Sequence, residues 1–186
     1  MSDAKQLFDA RVNKEILKPG QNITVDTVED AYKIQDEILA LQSEDVKGYK
    51  ISMTSPETQA MFDSSEPVYG PFTSSQIISQ MRLSDYNIPL AELELVFNIK
   101  EPISISDDKN QILEKCTVSA ALELPDGRFE DWFPNISKYE VVADCAVAGA
   151  IVIGEEKTVN WDDLDNITGS LLLNGKEIKS GTSQEV

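Results

Sequence analysis

Apolar residues follow a helical spacing in the first eighty positions and a two-residue alternation from Ile88 onward. Residues 3–17 predict a helix that stops before Pro19-Gly20. Thr27 is placed to cap a second helix running to about Leu41, on which Val28, Ala31, Tyr32, Ile38 and Leu39 share one face. Residues 48–53 predict a short strand. Ser55-Pro56-Glu57 predicts a helix start: a cap, a proline at the first position and an acid in the first turn. Residues 63–75, rich in serine and proline, read as loop, followed by a short apolar stretch at 77–83. Further on, residues 109–116 predict a brief helix, Pro125-Asp126-Gly127 a turn, residues 137–150 a helix or helix-like turn, and residues 150–154 a buried strand. Residues 167–173 and 176–179 flank Asn174-Gly175, the signature of a hairpin with a type I′ turn. The predicted class is α+β, with residues 1–80 as a helical N-terminal cap and residues 81–186 as a β-rich part.

Two of the predicted strands carry glutamates against their apolar alternation. In Leu90-Ala-Glu-Leu-Glu-Leu-Val-Phe97, residues Ala91, Leu93, Leu95 and Phe97 form one face, so Glu92 and Glu94 share the other. In Val118-Ser-Ala-Ala-Leu-Glu-Leu124, residues Val118, Ala120, Leu122 and Leu124 form the apolar face and Glu123 projects opposite. Spacing alone admits two readings. A half-buried strand ordinarily turns polar residues to water. If the strands line one cleft, three carboxylates converge and a hard divalent cation such as magnesium, manganese or calcium would neutralise them.

Composition narrows the chemistry. The 186 residues carry 16 lysines and arginines against 33 aspartates and glutamates, a formal net charge of −17. That argues against nucleic acid and anionic membrane surfaces as partners. The absence of histidine excludes Ser-His-Asp and Cys-His nucleophiles and histidine-bound zinc. Acid–base work falls to carboxylates, lysines, tyrosines or metal-bound water. Cys116 and Cys145 have neither a disulfide framework nor a metal spacing and read as buried free thiols. With no signal pattern at Met1-Ser-Asp-Ala-Lys and no apolar run of membrane-spanning length, the chain reads as cytoplasmic.

Gly48-Tyr-Lys-Ile51, Met53-Thr-Ser55, Pro67-Val-Tyr-Gly70, Ala91-Glu-Leu-Glu94, Ala121-Leu-Glu-Leu-Pro-Asp-Gly-Arg128 with Asp131-Trp132, and Val142-Ala-Asp-Cys-Ala146 through Gly149 to Val152-Ile-Gly154 follow in order. This set resembles the 2-hydroxypentadienoate hydratase and 4-oxalocrotonate decarboxylase family of the fumarylacetoacetate hydrolase superfamily, from about Ala31 to the last residue. The resemblance implies the mixed β-roll of that fold. It also implies a magnesium or manganese ion held by Glu92, Glu94 and Glu123, with Lys50 as the catalytic lysine of the same site. Thr54 and Ser55 are candidates for contacting substrate, although Ser55 is already explained as a cap. Asp126 and Arg128 are candidates for bracing the Glu123 strand; their plain readings are turn chemistry and a surface ion pair. Asp144 reads as a cap or brace at a helix start, and Tyr49, Tyr69 and Trp132 as core or pocket wall.

The implied activity is a lyase adding water to a small 2-hydroxy-2,4-dienoate or 2-oxo-4-enoate, giving a 4-hydroxy-2-oxo acid; the same parts would serve a 4-oxalocrotonate decarboxylase. Homo-oligomers are implied as well. There are three departures, and the last two point to a rival, a catalytically silent relative serving in binding or assembly. Ser52 stands where relatives carry glycine. Cys145, Val147 and Ala148 stand where they carry an asparagine and two serines. The chain also stops at residues 181–186, before strands that relatives have, so it is expected to be C-terminally incomplete, to self-associate through open sheet edges and to be poorly active by itself.

Overall fold

The computed structural model describes residues 1–183, so residues 184–186 of the singled-out chain end lie outside the described residues. The elements run α1 (Asp3–Asn13), α2 (Val28–Gln42), β1 (Val46–Ser52), α3 (Pro56–Met61), β2 (Val68–Thr73), β3 (Ile88–Pro89), β4 (Glu92–Ile99), α4 (Lys109–Glu114), β5 (Cys116–Gly127), α5 (Trp132–Asn135), α6 (Lys138–Ala143), β6 (Ala148–Ile153), α7 (Trp161–Leu164), β7 (Thr168–Leu173) and β8 (Lys176–Thr182). They form two compact units. The first comprises Met1–Ala91 with Leu124–Ile151; the second comprises Glu92–Glu123 with the residues from Val152 onward. Among the described residues no helix is long and apolar enough to cross a membrane.

In the first unit, α1 starts where the Ser2 side chain accepts from the Lys5 N–H, and it buries Ala4, Leu7 and Ala10. It is shorter than the predicted 3–17. Lys14 turns left-handed at φ 57°, and Leu17 then exchanges backbone hydrogen bonds with Arg128 and Glu130. Helix α2 starts at Thr27, whose hydroxyl accepts from the Asp30 N–H at 3.1 Å. Its buried residues are Ala31, Gln35 and Ile38, at the i, i+4, i+7 spacing. Gln35 is polar and buried because its amide donates to the carbonyls of Tyr69 (3.2 Å) and Val142 (3.0 Å). Helix α3 starts at Ser55-Pro56, as predicted.

Strands β1 and β2 pair antiparallel, Lys50 opposite Gly70. Residues 68–73 are therefore strand and not loop. Gly70 and Pro71 hide the pattern, and pairing with β1 decides the outcome. Gly70 is required there: a Cβ would come within 2.1 Å of the Cys145 carbonyl oxygen. The predicted turn at 125–127 is likewise the end of β5, where Asp126 and Gly127 pair with Pro89 and Ile88. The Asp126 carboxylate accepts from the backbone N–H groups of Asn87 (2.9 Å) and Ile88 (2.8 Å). The core of this unit gathers Leu7, Ile23, Ile38, Phe129, Trp132 and Val142, with many smaller side chains between them.

The second unit is built on β4 and β5, paired antiparallel from Glu92–Glu123 to Ile99–Cys116. Lys157 extends the pairing along the other edge of β5 through two 2.8 Å backbone bonds with Val118. Its buried cluster is small: Leu113, Cys116, Val118 and Leu164, with Leu95, Val159, Trp161 and Ile167 around them. The hairpin β7–β8 has the predicted type I′ geometry, with Asn174 at φ 52° and Gly175 at φ 79°.

Candidate metal centre

The β4–β5 register brings the three glutamates together. Glu92 stands directly opposite Glu123, and Glu94 opposite Ala121. Side chains directly opposite on an antiparallel pair share a face, as do residues two apart on one strand. One carboxylate oxygen from each of Glu92, Glu94 and Glu123 lies within 4.8 Å of the others. Two oxygens on opposite sides of one hard cation stand roughly 4 to 5 Å apart, about twice the 2.0–2.6 Å bond length. The oxygen donors and their spacing thus fit magnesium or calcium.

Burial distinguishes this arrangement from a solvated strand face. Glu123 is only 4% exposed, and Glu92 and Glu94 are half-buried. On the opposite face, Leu93 at 43% and Phe97 at 38% are more open than Glu123. The alternation was legible; which face lies deeper was not. Like charges set directly opposite one another destabilise a sheet unless something offsets them.

The other predicted residues belong to the first unit. Lys50 is buried at 9% exposure in β1. Thr54 is exposed. The Ser55 hydroxyl accepts the Thr58 N–H at 3.2 Å, the capping role that its position suggests. Asp126 holds the 87–88 backbone, as described above. Arg128 is no surface residue. It and Asp144 are both 2% exposed at the side chain and form a buried ion pair. Arg128 also donates to the backbone carbonyls of Asp126 (2.6 Å) and Asp144 (2.7 Å), and its own N–H donates to the Asp144 carboxylate at 3.1 Å. Asp144 therefore braces Arg128 and makes no side-chain cap. Burial pushes its carboxyl up to about 6, against the pull of Arg128. Trp132 is core, but Tyr49 is 61% exposed and lies edge-on to Tyr69, which stacks on Tyr32 with ring centroids 4.5 Å apart.

One feature has no signal in the sequence. Cys145, Ala146 and Val147 hold φ of 55°, 49° and 52° in succession, without a glycine among them. Left-handed backbone at a β-branched valine is costly and persists only where surrounding packing imposes it. All three are buried. Both cysteines are buried free thiols, and burial pushes the Cys145 thiol up to about 12.

No family-wide sequence profile matches the chain. Individual relatives do. A 2-hydroxypent-2,4-dienoate hydratase of Pseudomonas putida is 30% identical over 95% of this chain and 83% of its own length. The chain belongs to the 2-hydroxypentadienoate hydratase and 4-oxalocrotonate decarboxylase family. A second hydratase of this family, the 2-hydroxyhexa-2,4-dienoate hydratase of Comamonas testosteroni, is 29% identical over all of the chain and 74% of its own length. The family's fold is also seen in a solved structure, 4-oxalocrotonate decarboxylase from Pseudomonas putida G7 complexed with magnesium and adipate. It superposes with a TM-score of 0.85 at 21% identity, over 98% of this chain and 73% of that one. The same decarboxylase complexed with calcium and acetate gives a TM-score of 0.77. The chain thus has the mixed α/β fold of that enzyme and belongs to a family of lyases.

Proposed function

We propose that this chain is a divalent-metal-dependent hydratase. It would add water to a 2-hydroxy-2,4-dienoate, or its 2-oxo-4-enoate tautomer, to give a 4-hydroxy-2-oxo acid. The observation that carries the reading is the cluster of Glu92, Glu94 and Glu123 within 4.8 Å on paired strands of a chain from this family. Hydratases among its relatives and a magnesium-bound fold neighbour support it.

The three glutamates would hold magnesium or manganese. When bound, the ion supplies Lewis acidity toward the carboxylate and 2-oxygen of such a substrate. The chain's own part is to hold the ion and to move protons. With no histidine present, Lys50 is the proposed proton carrier, its ammonium also suited to pair with a substrate carboxylate. Thr54 and Ser55 are proposed at the substrate's edge. Asp126 and Arg128 are proposed as supports, a role suited to their backbone bonds and the buried ion pair. The reading further includes a mixed β-roll, a cap in residues 1–80 and a catalytic part in 81–186, a homo-oligomeric assembly and a cytoplasmic setting.

The test is turnover of 2-hydroxypenta-2,4-dienoate with magnesium, with manganese and with a chelator, beside carbon dioxide release from 4-oxalocrotonate. Hydration that needs the ion supports the proposal. Carbon dioxide release without hydration makes the chain a decarboxylase, and turnover untouched by the chelator removes the metal from the account.

A further inference from the structure

We infer that Gly70 and the left-handed segment 145–147 position Lys50: the missing side chain at residue 70 lets that backbone close against the sheet and fix the direction of the lysine's stem. The inference rests on Lys50 being the proton carrier proposed above.

The two faces of the β1–β2 pair are unlike. Lys50 stands directly opposite Gly70, and directly opposite residues of an antiparallel pair share a face. Tyr49 and Ile51, on the other face, are 61% and 58% exposed, whereas Lys50 is buried. The segment after α6 covers the lysine's face at Gly70. A Cβ on Gly70 would lie 2.1 Å from the Cys145 carbonyl oxygen and 2.7 Å from the Ala146 Cβ. Directly opposite Cβ atoms are roughly 4.5–5.5 Å apart, so the Cys145 carbonyl lies at most about 8 Å from the lysine's Cβ, within reach of its four-carbon stem.

That segment is held from both sides. Cys145, Ala146 and Val147 are buried at φ of 55°, 49° and 52°. Before it, Arg128 pairs with the Asp144 carboxylate and donates to the Asp144 carbonyl at 2.7 Å. The Val147 N–H donates to the same carbonyl at 2.9 Å. After it, the Gln76 amide donates to the carbonyls of Ala148 (2.8 Å) and Gly149 (3.0 Å). Left-handed backbone at buried residues persists only where the surroundings over-determine it, and such strain gathers where a group must be held in place. A lysine gains most from a rigid wall, because its ammonium rides on a flexible stem. Misplacing a reacting group by about 1 Å costs on the order of 10²-fold in rate.

The test is a double-mutant cycle between Gly70→Ala and Lys50→Ala, read as kcat for hydration of 2-hydroxypenta-2,4-dienoate with magnesium, each variant shown folded by circular dichroism. With Lys50 present, Gly70→Ala should lower kcat about 10- to 100-fold and leave magnesium affinity unchanged. With Lys50→Ala, the same substitution should change kcat less than about 3-fold, because residues that act through one group are not additive. An equal loss in both backgrounds, or no loss with Lys50 present, overturns the positioning role and leaves Lys50 standing. Lys50→Ala at the wild-type rate overturns both. If Gly70→Ala does not fold, Ala146→Gly takes its place: it removes the other contacting atom and is at ease at φ 49°. Its loss should be smaller, about 3- to 10-fold, and again confined to the chain with Lys50. If the wild-type chain turns over no substrate, trace acetylation read by mass spectrometry decides. Gly70→Ala should then speed labelling of Lys50 by about 5-fold or more while exposed Lys47 on the same strand stays unchanged. Equal labelling of Lys50 in both proteins overturns the inference.

Discussion

The two units are stabilised in different ways. The first surrounds α1 and α2 with a broad apolar core and can bury an arginine–aspartate pair inside it. Every buried polar side-chain atom among the described residues has a hydrogen-bond partner. The second has a small core, many exposed apolar side chains and three carboxylates gathered on one sheet face. A large core can bury charge in matched pairs, whereas a small one with clustered like charge fits a ligand from outside. The comparison separates two ways of placing charge: loss of Arg128 or Asp144 should destabilise the first unit, whereas the carboxylate cluster of the second is where an added divalent ion should act.

The largest expected effect concerns activity. Lys50→Ala, in the first unit, should leave magnesium affinity in place and lower kcat by about 10²- to 10⁴-fold. A variant that turns over at the wild-type rate would make Lys50 structural.

Next comes the buried pair. Arg128→Leu leaves Asp144 buried without its partner and should cost about 3–5 kcal/mol in chemical denaturation. The loss has a pH signature. Burial already holds the Asp144 carboxyl up at about 6 from an ordinary 3.8. Without Arg128, only the charge of Arg11 still opposes burial, and the carboxyl rises further. A carboxyl raised in the fold favours the folded state below its unfolded value, and that contribution is lost as pH rises through the folded value. The variant's deficit should therefore be greater at pH 8 than at pH 5. A deficit that shrinks toward pH 8 would contradict the assigned cause.

A smaller effect is expected at Gly70. Gly70→Ala sets a Cβ against the Cys145 carbonyl and should cost about 1–3 kcal/mol, because strand β2 or the left-handed 145–147 segment must shift. An unchanged denaturation midpoint would show that the segment yields freely. The smallest is in the second unit's hairpin. Gly175→Ala meets no neighbouring atom but keeps φ at 79°, so it should cost about 1 kcal/mol through backbone strain alone.

What could be read from the sequence was mostly local. Thr27, Ser55-Pro56 and Asn174-Gly175 act on backbone within a few residues, and each starts or turns its element where expected. Residues 68–73 and 125–127 misled because proline and glycine suggest turns, while pairing with distant strands makes both segments extended. The alternation around Glu92, Glu94 and Glu123 predicted a common face on each strand. Their meeting depends on the register of β4 with β5, and the depth of Glu123 on packing that neither strand encodes. Arg128 and Asp144 stand sixteen residues apart, with nothing in the spacing to announce a buried pair.

The central claim is that these three glutamates hold one divalent cation. Magnesium titration by calorimetry, on the wild-type chain and on Glu92→Gln and Glu123→Gln, tests it most directly. The account predicts one ion per chain, with affinity reduced by roughly two orders of magnitude in each variant, since each removes a full negative charge from the ligand set. Equal affinity in all three proteins would contradict it.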